Sequence, residues 1–366
     1  MTITLRPHQQ LATDAMLVHD KGQIIVPTGG GKTEAYLGII AFTIGLRRLR
    51  NRSILKYGVT ALVRYTLRLL TLQQFQRATA FMCACEIIRR ADRKPNGKSK
   101  WGSEPFTVGL WLGLSATPNR LKGEGGAISQ LDRVKENPDN VKDSNPYQIH
   151  SCPWCGSDIS PYDYDFGGKI FHMRIFCSNN NCEFSKEKSK EEVEDDKGKK
   201  FYEERGLPVL LVDDDIYKLC PTLIIATVDK FAQITWNWKT ASIFGKIDKW
   251  NDTKGFITSN DPKPPRAKDL KVKCGVDHLL PPELIIQDEL HLISGPLGTL
   301  TSLYETAIND LCTTNESYPK IIASTATTRN SPEQIKRLFN IARNDVKIFP
   351  PQGFVFGDSF FAKEIT

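Results

Sequence analysis

Short apolar runs recur along the chain, at intervals that leave room for helices between them. The runs most typical of buried strands are Ile24–Val26, Val59–Tyr65, Thr107–Leu112, Leu223–Thr227, Leu284–Gln287 and Ile321–Ser324. Longer patterns of helical length lie between them, such as Leu69–Arg90. Continuous apolar strands separated by helices are typical of a parallel sheet that is covered on both faces. We therefore predict a doubly wound α/β fold.

Two stretches interrupt this pattern. The first contains four closely spaced cysteines and then a charged tract, Lys186–Arg205, with almost no apolar residues before Phe201. We expect the tract to be a mobile arm or an exposed helix. The second stretch, Lys246–Lys273, is polar and rich in proline, and it predicts a long loop.

The predicted organisation is one RecA-like lobe that an insertion divides into two parts. The lobe covers residues 1–145 and 206–345, the insertion covers 146–205, and 346–366 form a linker. Such lengths are ordinary for a domain with an inserted subdomain.

Composition restricts the class of protein but does not identify it. The chain has 366 residues, 40% of them hydrophobic, and a net charge of +7. It has no apolar run of ~18 residues and no charged-then-apolar leader, so we expect a cytoplasmic protein. The positive charge suits nucleic-acid binding without requiring it. The dense basic clusters, which include Arg47, Arg48, Arg89 and Arg90, are interpreted as solvated helix ends or loops.

The most informative segment follows the apolar run that ends at Val26. It reads Pro27-Thr28-Gly29-Gly30-Gly31-Lys32-Thr33, and an apolar run of helical length comes after it. Glycines allow backbone N–H groups to curl around phosphates. A lysine in this place reaches the β- and γ-phosphates, and the threonine hydroxyl binds Mg²⁺. The segment therefore predicts an ATP·Mg²⁺ cradle.

A second element is needed to complete the magnesium site and to activate water. The apolar run Leu284–Gln287 ends in Asp288-Glu289-Leu290-His291. Side chains that follow a parallel strand project into the crevice at its carboxyl end. We expect Asp288 to hold Mg²⁺ through water, Glu289 to orient and deprotonate the attacking water, and His291 to link hydrolysis to the next motif.

Four further segments occur in the order that helicases use. They are Leu5-Arg6-Pro7-His8-Gln9, Arg68-Leu69-Leu70-Thr71-Leu72-Gln73, Ala226-Thr227-Val228-Asp229-Lys230-Phe231 and Ser324-Thr325-Ala326-Thr327. Together with the glycine loop and the Asp-Glu-Leu-His box, they resemble the N-terminal lobe of superfamily 2 ATPases of the Asp-Glu-x-His type. The resemblance implies an adenine contact at Gln9, nucleic-acid contacts at Arg68, Gln73 and Thr227, and coupling of hydrolysis to strand movement by Ser324, Thr325, Ala326 and Thr327.

The match to these helicase elements is incomplete in two places. Val-Asp-Lys stands where the family has Pro-Gly-Arg, so only Thr227 carries over there, and one residue is inserted in the coupling element. A second candidate for the coupling element, Gly113–Pro118, lies upstream of Asp288, where the helicase order does not place it. We interpret it as a strand-to-loop turn without an assigned role.

A narrower resemblance concerns two segments of the sequence. The segment Arg64–Arg77 and the tail, Phe349–Gly353 followed by Asp358–Phe361, resemble the helicase-like proteins of DISARM anti-phage systems, the DrmA family. This resemblance implies a role in bacterial defence against foreign DNA.

Four of the nine cysteines have the spacing of metal ligands. Cys152 and Cys155 form one pair, Cys177 and Cys182 a second, and 21 residues separate the pairs. Four thiolates can close a tetrahedral Zn²⁺ site, which we predict here. An iron–sulfur centre and a redox role for the first pair are the alternatives, and His150 and His172 are possible substitute ligands. We expect the other cysteines to be core or incidental residues: Cys83, Cys85, Cys220, Cys274 and Cys312.

Aromatic side chains accompany these cysteines. They are Trp154, Phe171, Phe176 and Phe184, with Arg174 among them. They could stack on bases, but packing within so small a unit is the favoured interpretation.

One part of a superfamily 2 motor is missing from the sequence. The resemblance implies arginine fingers from a second lobe, and no Gln-x-x-Gly-Arg-x-x-Arg element follows Arg329. We expect a missing C-terminal region or a partner protein to supply that lobe, so hydrolysis by this chain alone should be very slow. The predicted function is the ATP-binding lobe of a DNA helicase or translocase. The alternative is a nucleotide-gated, zinc-bearing adaptor that does not translocate.

Overall fold

A six-stranded parallel sheet lies at the centre of the molecule. The computed structural model describes residues 23–24, 32–50, 57–92, 100–137, 144–194, 200–251, 253–258, 260–263, 279–314, 318–325, 331–340, 346 and 348–349. The strands of the sheet are β2 (Ala61–Tyr65), β3 (Val108–Trp111), β8 (Val209–Leu210), β9 (Leu223–Thr227), β12 (Leu284–Gln287) and β13 (Lys320–Ala323). Their order across the sheet is β13-β12-β2-β9-β3-β8, and every neighbouring pair is parallel.

The doubly wound prediction is confirmed. Strands β9 and β12 occupy the residues that the apolar runs predicted, and β2, β3 and β13 differ from the predicted runs by one or two residues at their ends. Strand β8 was not predicted, because two residues are too short to show a pattern.

The predicted first strand is described only in part. Strand β1 (Gln23–Ile24) pairs in parallel with β14 (Ile348–Phe349) and lies next to β13. The rest of the predicted strand and the glycine loop, residues 25–31, lie outside the described residues, as does Gln9.

Helices cover both faces of the sheet. They are α1 (Lys32–Arg50), α2 (Arg68–Ala91), α3 (Ala127–Glu136), α4 (Asp213–Leu219), α5 (Gly295–Cys312) and α6 (Ser331–Phe339). On one face α1 packs on β12 and β2, and α2 packs on β2, β9 and β3. On the other face α5 packs on α6 and on the 3₁₀ segment Val228–Thr235. No helix in the described part of the chain is both long enough and apolar enough to span a membrane.

Strand residues alternate between two apolar cores, one on each face. Val63 and Tyr65 of β2 join the core that contains Tyr36 and Phe75, whereas Leu62 joins the core that contains Trp111. Because successive side chains of a strand point to opposite faces, a sheet buried on both sides produces continuous apolar runs.

The insertion and the polar stretch both form antiparallel hairpins. Strands β4 (Tyr164–Gly167) and β5 (His172–Ile175) pair beside the cysteines. The described residues of the charged tract include a hairpin and no helix: β6 (Lys190–Glu194) pairs with β7 (Lys200–Glu204). The predicted loop at 246–273 contains a further hairpin, β10 (Ile247–Asn251) with β11 (Gly255–Thr258).

Buried ion pairs explain why the charged tract folds. Glu191 of β6 is buried and contacts Arg89 at 2.6 Å, Arg90 at 3.0 Å and Arg205 at 3.6 Å. Burial alone would raise the pKa of Glu191, but these guanidinium groups outweigh that effect and lower it. Composition could not show this pairing, because Arg89 and Arg90 come from α2, about 100 residues away along the chain.

The expectation that the basic clusters are solvated is wrong for Arg47, Arg48 and Arg89. All three are buried. Arg47 donates to the backbone carbonyls of Val59 and Leu280, among others. Arg48 donates to three carbonyls between Trp101 and Pro105. These three charges therefore hold loops together inside the protein and are not available to a surface for nucleic acid.

Candidate functional site

The loops that follow β12 and β13 are joined to each other at the carboxyl edge of the sheet. The Asp288 N–H donates to the Arg64 carbonyl at 3.0 Å, and the Ser324 N–H donates to the Gln287 carbonyl at 2.8 Å. The Leu290 N–H donates back to the Ser324 carbonyl at 2.8 Å. The predicted acids and the described start of the predicted coupling element are therefore direct neighbours.

The acidic turn has an unusual backbone. Glu289 adopts a left-handed conformation with φ of 50°, which is uncommon for a residue with a Cβ. The turn is supported by the Glu289 N–H, which donates to Asp288 Oδ1 at 3.0 Å. Such strained positions cluster at functional sites. Asp288 is buried, whereas Glu289 and His291 are partly exposed, with His291 Nδ1 3.5 Å from Glu289 Oε2.

Two tyrosines bring α1 and β2 to the same acids. Tyr36 lies one turn into α1, and its pKa is raised well above the usual value by burial and, next, by the charge of Asp288. Tyr65 ends β2, and its pKa is raised by burial and by Asp288 and Glu289. Helix α1, which begins at Lys32, packs on β12, the strand that ends directly before Asp288. Sequence analysis identified both tyrosines only as parts of apolar runs.

The nucleotide-contacting residues are described only in part. Thr28, Gly29, Gly30 and Gly31 lie outside the described residues, and Lys32 is described through its backbone alone. Thr33 is half-buried in the first turn of α1. Ser324 and Thr325 are buried after β13, and Ala326 and Thr327 lie outside the described residues.

The predicted nucleic-acid contacts differ in exposure. Arg68 and Gln73 are exposed at the start of α2, and Arg68 Nη1 donates to Ser115 Oγ at 2.6 Å. Thr227 is buried at the end of β9. Arg68 and Gln73 can therefore reach a ligand directly, whereas Thr227 lies beneath the surface.

One buried ion pair supports this edge and was not predicted. Arg64 of β2 contacts Glu305 of α5 at 2.5 Å, and both side chains are almost inaccessible to solvent. The carbonyl of Arg64 also accepts the Asp288 N–H. Burial raises the pKa of Glu305, and Arg64 opposes that shift. The pair thus joins β2, the strand next to β12, to α5, which lies on the face of the sheet opposite to α1.

The four predicted zinc ligands converge on one point. The Sγ atoms of Cys152, Cys155, Cys177 and Cys182 all lie within 4.8 Å of one another. Cys152 and Cys182 are 3.8 Å apart, and Cys155 and Cys177 are 3.5 Å apart. Zn–S bonds of about 2.3 Å in a tetrahedron place sulfurs about 3.8 Å apart. The cluster therefore has the dimensions of a four-thiolate metal site.

Local hydrogen bonds hold the first cysteine turn in shape. The Cys152 N–H donates to the Ser157 carbonyl at 2.7 Å, and the Gly156 N–H donates to the Cys152 carbonyl at 2.9 Å. Gly156 has a φ of 79°, which favours glycine. Burial raises the pKa of the Cys182 thiol to about 11, so metal binding would displace its proton.

The alternatives to a four-cysteine site are weaker. Among the described residues, the group that converges contains neither His150 nor His172. His172 Nδ1 instead contacts the Ile170 carbonyl at 2.6 Å, and burial lowers the pKa of its ring. A redox role for the first pair does not explain why the second pair lies at the same point. Of the other cysteines, Cys83, Cys220 and Cys312 are buried, Cys85 is half-buried, and Cys274 lies outside the described residues.

The predicted insertion, residues 146–205, is called the cysteine module from here on, and it is packed into the lobe. Three of its ligand cysteines belong to the same apolar core as the sheet. Arg90 of α2 lies over the Phe184 ring and donates to the Glu183 carbonyl at 3.2 Å. Phe176 and Phe184 are buried, as the packing interpretation predicted, whereas Trp154 is 43% exposed.

Comparison with known proteins gives a sequence relative in bacterial defence. No family model matches the chain. It is 41% identical over 351 residues to the DISARM protein DrmA of Bacillus paralicheniformis, an alignment that covers 92% of this chain and 29% of that protein. The chain thus spans about three tenths of the relative's length.

Solved structures of one helicase resemble the chain more distantly. They are structures of the DUF1998 helicase MrfA, one bound to DNA and another bound to DNA and AMPPNP. Each has a TM-score of 0.44 and 12% identity and covers 94% of this chain, which spans 26–30% of those chains. The sequence similarity first seen in two segments extends through most of the chain. The chain is therefore a relative of the DISARM protein DrmA.

Proposed function

We propose that this chain is the ATP-binding lobe of a nucleic-acid-dependent ATPase of the helicase or translocase type, active in anti-phage defence. The observation that carries the proposal is the packing of α1, the helix that follows the glycine loop, on β12, the strand that ends directly before Asp288. The similarity to the DISARM protein DrmA supports the defence role.

Each residue at this edge has a role suited to its chemistry. Lys32 binds the β- and γ-phosphates, Thr33 and Asp288 hold Mg²⁺, and Glu289 orients and deprotonates water. The buried Asp288 carboxylate accepts the Glu289 N–H, and carboxylate oxygens are among the ligands that Mg²⁺ takes in nucleotide sites. His291, close to Glu289, passes the state of the nucleotide to the loop that begins at Ser324.

A second RecA-like lobe completes the ATP site in this proposal. An arginine finger contributes about 10³–10⁵ in rate. The chain alone should therefore bind ATP but hydrolyse it very slowly. The second lobe comes from another region of a longer protein or from a partner protein.

The four cysteines are proposed to bind one structural Zn²⁺. The sulfur separations fit its tetrahedral geometry, and structural zinc commonly replaces a hydrophobic core in a small unit. Nucleic acid, with DNA favoured, is proposed to bind along the exposed side chains at the start of α2, through phosphate contacts that salt weakens steeply.

The second candidate function is an ATP-gated adaptor, and the packing of the cysteine module into the lobe favours it. Replacing Glu289 by Gln separates the two candidates. A translocase keeps ATP binding but loses DNA-stimulated hydrolysis by about 10²–10⁴ when its general base is removed. The measurement is steady-state ATPase and protection against phage, with the longer protein that contains this lobe. Full protection by the Glu289→Gln variant, with hydrolysis lost, would favour the adaptor.

A further inference from the structure

The turn after β3 has exposed residues that face the start of α2. Within Gly113–Thr117, named the Ser115 turn here, the Ala116 N–H donates to the Gly113 carbonyl at 2.8 Å. Leu114 and Ser115 are exposed, whereas Ala116 and Thr117 are buried. The turn lies at the carboxyl edge of the sheet, the same edge as Asp288.

Arg68 and Ser115 form a group of hydrogen-bond donors that suits an anion. Arg68 Nη1 donates to Ser115 Oγ at 2.6 Å, which leaves the hydroxyl proton available to another acceptor. The guanidinium has further N–H groups, and hydrogen bonds from a cation to a phosphate are among the strong ones. Among the described residues, the N–H groups of Leu114 and Ser115 have no hydrogen-bond acceptor.

One side of the Ser115 turn is fixed by the lobe itself. The Asp213 N–H donates to the Pro118 carbonyl at 3.3 Å. Lys230 donates to Asn119 Oδ1 at 3.2 Å and is paired with Asp213 at 2.7 Å. Lys230 stands where the helicase element has an arginine, and it is buried and supports this turn.

The other side is fixed by Ser144–Gln148, named the leading segment here, which spans the start of the cysteine module at residue 146. Ser144 Oγ donates to the Leu114 carbonyl, and Gln148 Nε2 donates to the Ala116 carbonyl at 3.3 Å. These two carbonyls flank Ser115 along the chain. The leading segment thus sets the position of the Ser115 hydroxyl.

Hydrogen bonds connect the leading segment to the cysteines. Tyr147 donates its hydroxyl proton to the Ile159 carbonyl at 2.7 Å. The Ile159 N–H donates to the His150 carbonyl at 2.8 Å, which closes the loop that contains Cys152 and Cys155. A metal ion that fixes this loop would also fix the leading segment.

We propose that Ser115 and Arg68 together bind a backbone phosphate of nucleic acid, and that the metal-loaded cysteine module positions Ser115 for this contact. The inference rests on the proposed nucleic-acid-dependent function and adds a site to it. Ser144 and Gln148 are positioning residues, because they act through the backbone of the Ser115 turn.

The test is the affinity for a fluorescent single-stranded oligothymidine, measured by anisotropy at several salt concentrations. Loss of one hydrogen bond to a charged group should weaken binding about tenfold in Ser115→Ala. Arg68→Ala should weaken it at least as much and reduce the slope of log affinity against log salt by about one. The control is Ser103→Ala, an exposed serine that precedes β3 at the amino edge, which should bind as the wild type does.

The role of the module is tested with Gln148→Ala and with zinc-depleted protein. Gln148→Ala should keep its zinc and its ATP affinity but bind the oligonucleotide several-fold more weakly, because the turn loses one support. Because the module shares its core with the lobe, zinc-depleted protein should lose oligonucleotide binding together with its fold, and zinc should restore both. The Gln148→Ala result therefore decides the positioning role.

Three outcomes separate the hypotheses. Wild-type affinity in Ser115→Ala would overturn the phosphate site, and wild-type affinity in Gln148→Ala would overturn the positioning role. In both cases the proposed function would stand. A wild-type protein that binds ATP but no oligonucleotide would contradict the nucleic-acid part of the proposed function, and this inference with it.

Discussion

The cysteine cluster and the acidic edge of the sheet, where Asp288 and Glu289 follow β12, bring their functional residues together in different ways. The four cysteines lie within 31 residues of sequence (152 to 182), and two local turns bring them together. Asp288 and the start of α1 are about 250 residues apart, and only the sheet brings them together. The first site depends on its own loops, whereas the second depends on the register of the strands.

The two sites should therefore fail in different ways. Loss of one thiolate removes a metal ion from a module that shares its core with the lobe, so the stability of the whole lobe should fall. Loss of one acid at the sheet edge leaves the strands paired and should change chemistry more than stability. The predictions below test this contrast, beginning with the largest effect.

Replacing Cys177 by Ser should have the largest effect on folding. Three thiolates bind zinc much more weakly than four, and apparent binding free energies of structural zinc, about 10–16 kcal/mol, exceed the stability of most domains. We expect loss of zinc and of the cooperative thermal transition, measured by metal analysis and circular dichroism. Cys85→Ser is the control, because Cys85 lies outside the cluster, and it should keep one zinc. A zinc-free Cys177→Ser variant with normal stability would contradict the shared core.

Replacing Glu305 by Ala should have the next largest effect. It leaves the buried guanidinium of Arg64 without its partner, which costs about 3–5 kcal/mol. Urea unfolding measures this loss. The double variant Arg64→Met, Glu305→Leu removes both charges and should recover most of the stability. If the single variant loses less than 1 kcal/mol, the pair does not support the acidic edge.

The Asp213–Lys230 pair should make stability depend on pH. Burial raises the pKa of Asp213 from its usual value to about 6, and Lys230 opposes part of that shift. Because the folded pKa is the higher one, the folded state binds more protons, and this group makes stability fall as pH rises from about 4 to 6. The fall is up to about 3 kcal/mol at 1.36 kcal/mol per unit of pKa.

Asp213→Asn is the variant that isolates this effect. It cannot titrate, so its stability should change less between these pH values, although it is less stable overall because Lys230 stays buried. Urea unfolding at pH 4, 5 and 6 measures the difference. Equal pH dependence in the variant and the wild type would mean that other groups cause it.

The same contrast explains what the sequence could predict. The cysteine cluster followed from local spacing, and most strands followed from apolar runs, as at β9 and β12. Tyr65 could not be assigned to the site, because only the pairing of β2 with β12 brings it to the strand end that precedes Asp288. Tyr36 could not be assigned either, because that requires the packing of α1 on β12. The roles of Arg47 and Glu191 were also hidden, because charge in a sequence is read as solvated unless its partners are known.

Local motif order was likewise insufficient for the Ser115 turn. Its sequence is similar to that of the coupling element. Only its contacts with Arg68 and with the leading segment give it a candidate role. The charged hairpin β6–β7 shows the same limit, since it is held by arginines of α2.

Calorimetric titration with AMPPNP, in the presence and absence of Mg²⁺, tests the central claim most directly. If Lys32 and Asp288 share one magnesium-bound triphosphate, Lys32→Ala should weaken binding at least about tenfold, since it removes a charge-assisted contact. Asp288→Asn should remove most of the dependence on Mg²⁺. Wild-type affinity and wild-type magnesium dependence in both variants would contradict the account.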